Sequence, residues 1–127
     1  MEYTKNLHGF ISEPQRRVLE QCCKGEEGQW FIEKIAEYAK RIAKMPKTYE
    51  QDGKGDQAII YLHYFLSGCD WWITEKDVGG DQQQAFGLAD LGCPEMGYIS
   101  IIELIANNAE LDLHFRPCPL GDIKASL

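Results

Sequence analysis

A cysteine nucleophile works only with a base in hydrogen-bond reach and a third group that orients the base. One trio in the chain meets that description: Cys69 beside Asp70 in a turn, with His63 on the strand leading into it. A turn cysteine without a partner is the plainer reading, because no motif surrounds the trio. Metal chemistry has less to work with. His8, His63 and His114 stand in no recognised ligand spacing, and the five cysteines (Cys22, Cys23, Cys69, Cys93, Cys118) form no Cys-x-x-Cys pair. No phosphate loop, nucleophile elbow or dinucleotide fingerprint is present. The expectation is no catalytic residue, no metal and no cofactor.

Aromatics and carboxylates are better placed. Trp71 and Trp72 are adjacent in an extended segment, so their rings point to opposite faces of a sheet. One enters a core, and the other is either covered by a helix or left on an open face. A tryptophan on an open face ringed by carboxylates is a protein-binding anchor. Asp70, Trp72, Glu75, Asp77 and Asp81 are therefore the residues expected to dock a partner. Burial of both rings is the plainer alternative.

Charge narrows the kind of partner. The net charge is −7, and it is unevenly spread. Residues 1–46 hold eight Lys/Arg and seven Asp/Glu, a balance of +1, whereas residues 47–127 hold five and thirteen, a balance of −8. Direct nucleic-acid binding is not expected, because that affinity rests on Lys and Arg contacts to phosphate. A protein with a basic surface is the compatible partner; a merely solvating surface is the alternative. No apolar run reaches the roughly 18–20 residues that span a bilayer, and Met1-Glu2-Tyr3-Thr4-Lys5 lacks the apolar core of a signal peptide. The odd number of cysteines then reads as reduced thiols, and the expected location is the cytoplasm.

The elements that must position these groups follow from caps and periodicity. With 127 residues, one domain is expected over 1–127, helical over 1–46 and sheet-forming with one helix over 47–127. Ser12 and Gln15 form a capping box for a helix running to Cys23, with Gly25 as its C-terminal cap. Phe31, Ile35, Tyr38, Ile42 and Met45 recur at helical spacing, with Ile32, Ala36, Ala39 and Ala43 as a second stripe, and Pro46 ends that helix. Lys47 to Gln57 reads as a surface connection. Ala58 to Leu66 reads as a central strand covered on both sides, and Trp71 to Glu75 as its hairpin return across a turn at 67–70. Ala85 to Ala89 is a third strand in which Gly87 marks a bulge or a close approach. Gly97 to Ile99 is a fourth, and Ser100 and Glu103 cap a helix to Asn107 or Asn108. Leu111 to Phe115 alternates as a last strand, closed by Pro117 and Pro119. The fold class is α+β: an antiparallel sheet of four to five strands packed on two N-terminal helices and one C-terminal helix.

The stretch Phe86-Gly87-Leu88-Ala89-Asp90-Leu91-Gly92-Cys93-Pro94-Glu95-Met96-Gly97-Tyr98-Ile99-Ser100, then Glu103-Leu104 and Glu110-Leu111-Asp112-Leu113-His114-Phe115, resembles an uncharacterised bacterial family known as a domain of unknown function. The aromatic block from His63 to Glu75 fits the same pattern, so the likeness covers roughly residues 46–117. The resemblance implies a small protein carried on plasmids, prophages and integrative elements, and with it an anti-defence role against restriction or RNA-guided immunity. It assigns no catalytic residue. Composition and resemblance together favour a non-enzymatic binding protein, monomeric or homodimeric. The alternatives are a small enzyme using carboxylates or Cys69 and His63 under a lid at 77–84, and a module that dimerises through its Tyr- and Trp-rich sheet.

Overall fold

The computed structural model describes residues 2–127. A 3-10 turn at Lys5–Leu7 leads into α1 (Glu13–Cys23) and α2 (Gly28–Lys44). The Ser12 hydroxyl accepts from the Gln15 amide at 3.3 Å and caps α1 as expected. The Gln15 side chain does not close the box. It exchanges two hydrogen bonds with the backbone of Leu111, at 2.8 and 2.9 Å, and so ties α1 to the far edge of the sheet. Lys24, not Gly25, ends α1. Gly28 is the glycine this corner requires, since a Cβ there would lie 2.2 Å from the Cys23 carbonyl oxygen. On α2, Ile35, Tyr38 and Ile42 are buried while Ala36 and Ala43 are exposed, so the apolar face is narrower than its two stripes suggest. Glu37 and Arg41 form the i,i+4 pair at 3.0 Å.

Seven strands follow: β1 (Ile59–Ile60), β2 (Leu62–Leu66), β3 (Cys69–Glu75), β4 (Ala85–Asp90), β5 (Pro94–Ile99), β6 (Glu110–Leu111) and β7 (Cys118–Pro119). Helix α3 (Ile101–Ala106) lies between β5 and β6, and α4 (Leu120–Ser126) follows β7. Five strands make one antiparallel sheet in the order β5-β4-β3-β2-β6, and β1 pairs with β7 in a separate two-stranded ladder. The fold is thus α+β, with the expected sheet and one helix more than expected.

Local chemistry explains most of the differences. Ser67 and Gly68 both take positive φ, 48° and 84°, and make the two-residue turn that joins β2 to β3. Gly87 marks a close approach, because a Cβ there would meet the Trp72 carbonyl oxygen at 1.9 Å. The bulge lies opposite, on β3 between Ile73 and Glu75. The segment read as one strand over 58–66 divides at Tyr61, where β1 leaves to pair with β7. The expected last strand stops at Leu111. Beyond it the carbonyls of Asp112 and Phe115 accept from the Tyr38 hydroxyl, each at 2.8 Å, and Arg41 reaches the Phe115 carbonyl at 3.0 Å. Helix α2 takes the acceptors that another strand would have used.

Side chains alternate across the sheet, and the register sorts them into two faces. Leu62, Tyr64, Trp71, Ile73, Ala85, Ile99 and Leu111 face the helices, where they join Leu19, Ile35, Tyr38 and Ile42 in the main core. Fully burying one of the larger of these side chains contributes about 1.5–3 kcal/mol. The opposite face has a second, smaller core of Ile60, Trp72, Leu88 and Leu120, flanked by Phe115 and Ile123.

Candidate functional site

The register lays one row of residues across the second face. Glu110 on β6 stands opposite Phe65 on β2, Phe65 opposite Asp70 on β3, Asp70 opposite Asp90 on β4, and Asp90 opposite Pro94 on β5. Three carboxylates and a phenyl ring thus share one end of the second sheet face, next to the part that α4 covers, and Phe65 is 40% exposed. No Lys or Arg of the strands offsets them. Between Lys54 and Arg116 the sequence contains a single Lys or Arg, Lys76. Its ammonium donates to the carbonyls of Ile42 and Ala43 at the end of α2, at 2.7 and 3.3 Å. Burial lowers the pKa of Lys76 from the usual lysine value, with Lys47 adding to the effect.

His63 lies in the next row, held on both sides. Its Nε2 is 2.7 Å from Asp70 Oδ1, and its Nδ1 is 3.0 Å from Asp112 Oδ2. The ring stacks on Trp72 with centroids 5.2 Å apart and planes 12° apart. A neutral imidazole has one N–H, so only the imidazolium form donates to both carboxylates. Both ring nitrogens thus have a carboxylate oxygen as partner. Cys69 pairs with Leu66 and shares the helix-side face, whereas His63 and Asp70 are on the other. The cysteine, histidine and aspartate trio is therefore not assembled, although its last two members meet. Among the described residues, no group of three His, Cys, Asp or Glu side chains is arranged to hold a metal ion.

The five residues expected to dock a partner are not brought together. Asp70 is half-buried against His63. Trp72 is 7% exposed, because α4 and Phe115, which the sequence reading leaves without a helix to cover it, close over the ring. Glu75 is buried beneath the 48–51 segment. Asp77 lies seven residues beyond Asp70, roughly 23 Å along extended chain. Its carboxylate accepts from the amides of Gly79, Gln83 and Gln84 at 3.1–3.2 Å and closes the 77–84 loop. Burial raises its pKa, but these amides outweigh it and leave the group below its ordinary value. Asp81 is exposed on that loop. Trp72 and Glu75 are thus interior groups rather than surface anchors. Asp90, Glu110, Asp112 and Phe65, which the sequence reading leaves out, are the neighbours Asp70 does have.

Glu75 has a distinct structural task. Its two oxygens accept from the backbone amides of Tyr49 and Gln51 at 2.8 and 2.7 Å. The Gln51 side chain bonds the backbone of Ile59 and Thr74, each at 2.8 Å, and Thr48 Oγ1 donates to Gln84 at 2.7 Å. The segment read as a plain surface connection is therefore fixed onto β3. It holds Tyr49 at φ 79°, a backbone conformation that a bulky side chain rarely adopts. Beside it opens a groove of about 460 Å³ lined by Tyr49, Asp52, Phe86, Met96, Leu120 and Lys124.

These features define a class: an α+β domain whose antiparallel sheet is covered by helices on one side, while the other has α4 over its middle and carboxylates and aromatics beside it. The chain belongs to the family described as protein of unknown function (DUF2958), whose model matches residues 34–117. That match runs from within α2 to just before β7 and leaves α1 and α4 outside it. No curated protein matches the chain, and no solved structure does. No helix of the described residues is long and apolar enough to cross a membrane.

Proposed function

We propose that this chain is a non-enzymatic binding protein that takes a basic surface of a partner protein on the acidic end of the second face of its sheet. The observation that supports it most is the row Glu110, Phe65, Asp70, Asp90, with an exposed aromatic among carboxylates and no strand-borne Lys or Arg beside them. Like charges on adjacent strands repel, so an arrangement of this kind is stabilised by a cationic partner. The same charge disfavours nucleic acid. The resemblance to proteins of plasmids and prophages supplies a setting, a cytoplasmic inhibitor of restriction or RNA-guided immunity. Nucleic-acid-handling enzymes carry basic surfaces that would suit this face.

The test compares Asp90→Asn, Glu110→Gln and Phe65→Ser, singly and together, with the unaltered chain in capture from a host lysate at low and high salt. The unaltered chain retains a basic protein that salt releases, and the triple variant retains about tenfold less or nothing. Equal capture by both would remove the reading. A homodimer is a second reading with its own support. Strand β5 pairs with β4 on one side and, among the described residues, with no strand on the other. An unpaired edge of six residues can pair with its copy. Sedimentation at several concentrations decides it.

A further inference from the structure

The groove beside Tyr49 lies on the same sheet face as the acidic row, toward its other end. Tyr49 and Phe86 are its aromatic walls, and the Tyr98 ring, outside the lining, packs edge-on against both. The Tyr98 ring is 6.5 Å from Tyr49 at 83° and 5.7 Å from Phe86 at 83°. Met96 and Leu120 add apolar surface. The charges around it are negative: Asp52 and Glu75 line the groove, and its lining cation, Lys124, is held by Asp56 at 2.9 Å. We propose that this groove is a cage for one Lys or Arg side chain of the partner, a reading that rests on the basic partner proposed above.

Ring faces carry negative quadrupole density, and a cation between the Tyr49 and Phe86 rings gains from both of them. The exposed Asp52 carboxylate of the lining adds to that attraction. An anionic ligand meets repulsion there, and a neutral apolar ligand would desolvate the carboxylates without pairing them. The same charges are felt at the ring that braces those two walls. The Tyr98 hydroxyl holds its proton above the ordinary tyrosine range, first through its bond to Tyr49 and burial, and then through Asp52 and Glu75. The walls are also set in advance. A bulky residue at positive φ is strained, and Tyr49 stays there because Glu75 takes the amides on either side of Glu50. The ring is therefore in place before a ligand arrives, which lowers the ordering cost of binding.

Geometry also sets the partner's spacing. Phe86 in the cage and Asp90 in the acidic row are four residues apart on β4, about 14 Å. An extended basic segment with cations at positions i and i+4 spans that gap with both side chains on one side.

The test uses a peptide with two arginines four residues apart, and a copy in which one arginine is replaced by neutral citrulline. Calorimetry reads both against the unaltered chain, Tyr98→Leu, Phe86→Leu and Asp52→Asn; Tyr98 is 56% exposed, so its variant folds. In the unaltered chain the substitution to citrulline weakens binding about five- to tenfold. Phe86→Leu should erase most of that difference, and Tyr98→Leu, which removes the brace, and Asp52→Asn should each reduce it. Discrimination that survives in all three variants overturns the cage. If Asp90→Asn and Glu110→Gln still weaken the arginine peptide in that case, the acidic-row reading stands without it. Methylguanidinium, followed by shifts in the ring resonances of Tyr49, Phe86 and Tyr98, separates the opposite case. Shifts without peptide binding support the cage and remove the acidic-row reading; neither response removes both.

Discussion

The two faces of the sheet are built from the same strands, one residue out of step, and differ in what they do with that offset. On the helix side, Leu62, Tyr64, Ile73 and Leu111 are all but inaccessible, and the Tyr64 hydroxyl donates to the Phe10 carbonyl so that no polar atom is stranded. On the other side, the neighbours of those residues are His63, Phe65, Asp70, Trp72 and Glu110. Only the middle of that face is apolar and covered. A one-residue slip would exchange the two sets and bury the carboxylates, so the helix face fixes the register that aligns the acidic row. The comparison teaches that the stability of the fold is concentrated on one face. The other is left free to carry repelling charges.

The comparison breaks most easily at its stable side. Leu62→Ala should cost about 3 kcal/mol, read as a lower urea midpoint with an unchanged slope. Glu75→Gln should cost about 2 kcal/mol, because two backbone amides lose a charged acceptor. Faster amide exchange at Tyr49 and Gln51 checks that it acts through the 48–51 segment. A smaller effect is expected from acid. Burial raises Glu20, but the Thr4 hydroxyl and the amides of Thr4 and Tyr3 outweigh it, so Glu20, like Asp77, sits below its ordinary pKa when folded. Groups depressed in the folded state contribute stability above their unfolded pKa values, about 4, and lose it as pH falls through the lower folded values. The urea midpoint should therefore drop below about pH 4, and Asp77→Asn should flatten part of that drop. The smallest effect sharpens the contrast: Phe65→Ser should change stability by less than about 0.5 kcal/mol while weakening partner capture.

Local signals carried much of this fold. The helical spacing of Phe31, Ile35, Tyr38 and Ile42, the caps at Ser12 and Ser100, and the glycine turn at 67–68 each act within a few residues, and each marks a real element. Helix α4 had no such signal. It is seven residues long, contains Gly121 and follows Pro117 and Pro119, which read as a terminator. Missing it left Trp72 without its cover and made that ring look available. The 47–57 segment was misread for a related reason: Thr48 and Gln51 are polar, and only the distant Glu75, Thr74 and Gln84 turn them inward. The candidate site was legible only at Asp70. Asp90, Glu110 and Asp112 come from strands and a turn 20 to 42 residues later in the chain, and no local pattern announces a cross-strand register.

The last ten residues make a cap whose loss would change how the protein behaves in solution. Leu120 donates its amide to the Ala58 carbonyl at 2.7 Å and packs its side chain on Ile60, Trp72 and Leu88. A chain stopped at Pro117, where the family match ends, would uncover an indole and two aliphatic side chains next to the open β5 edge. Greasy surface beside an unpaired edge is the recipe for self-association. Shortened versions should precipitate or dimerise for reasons unrelated to any natural partner, and their tryptophan emission should shift to the red.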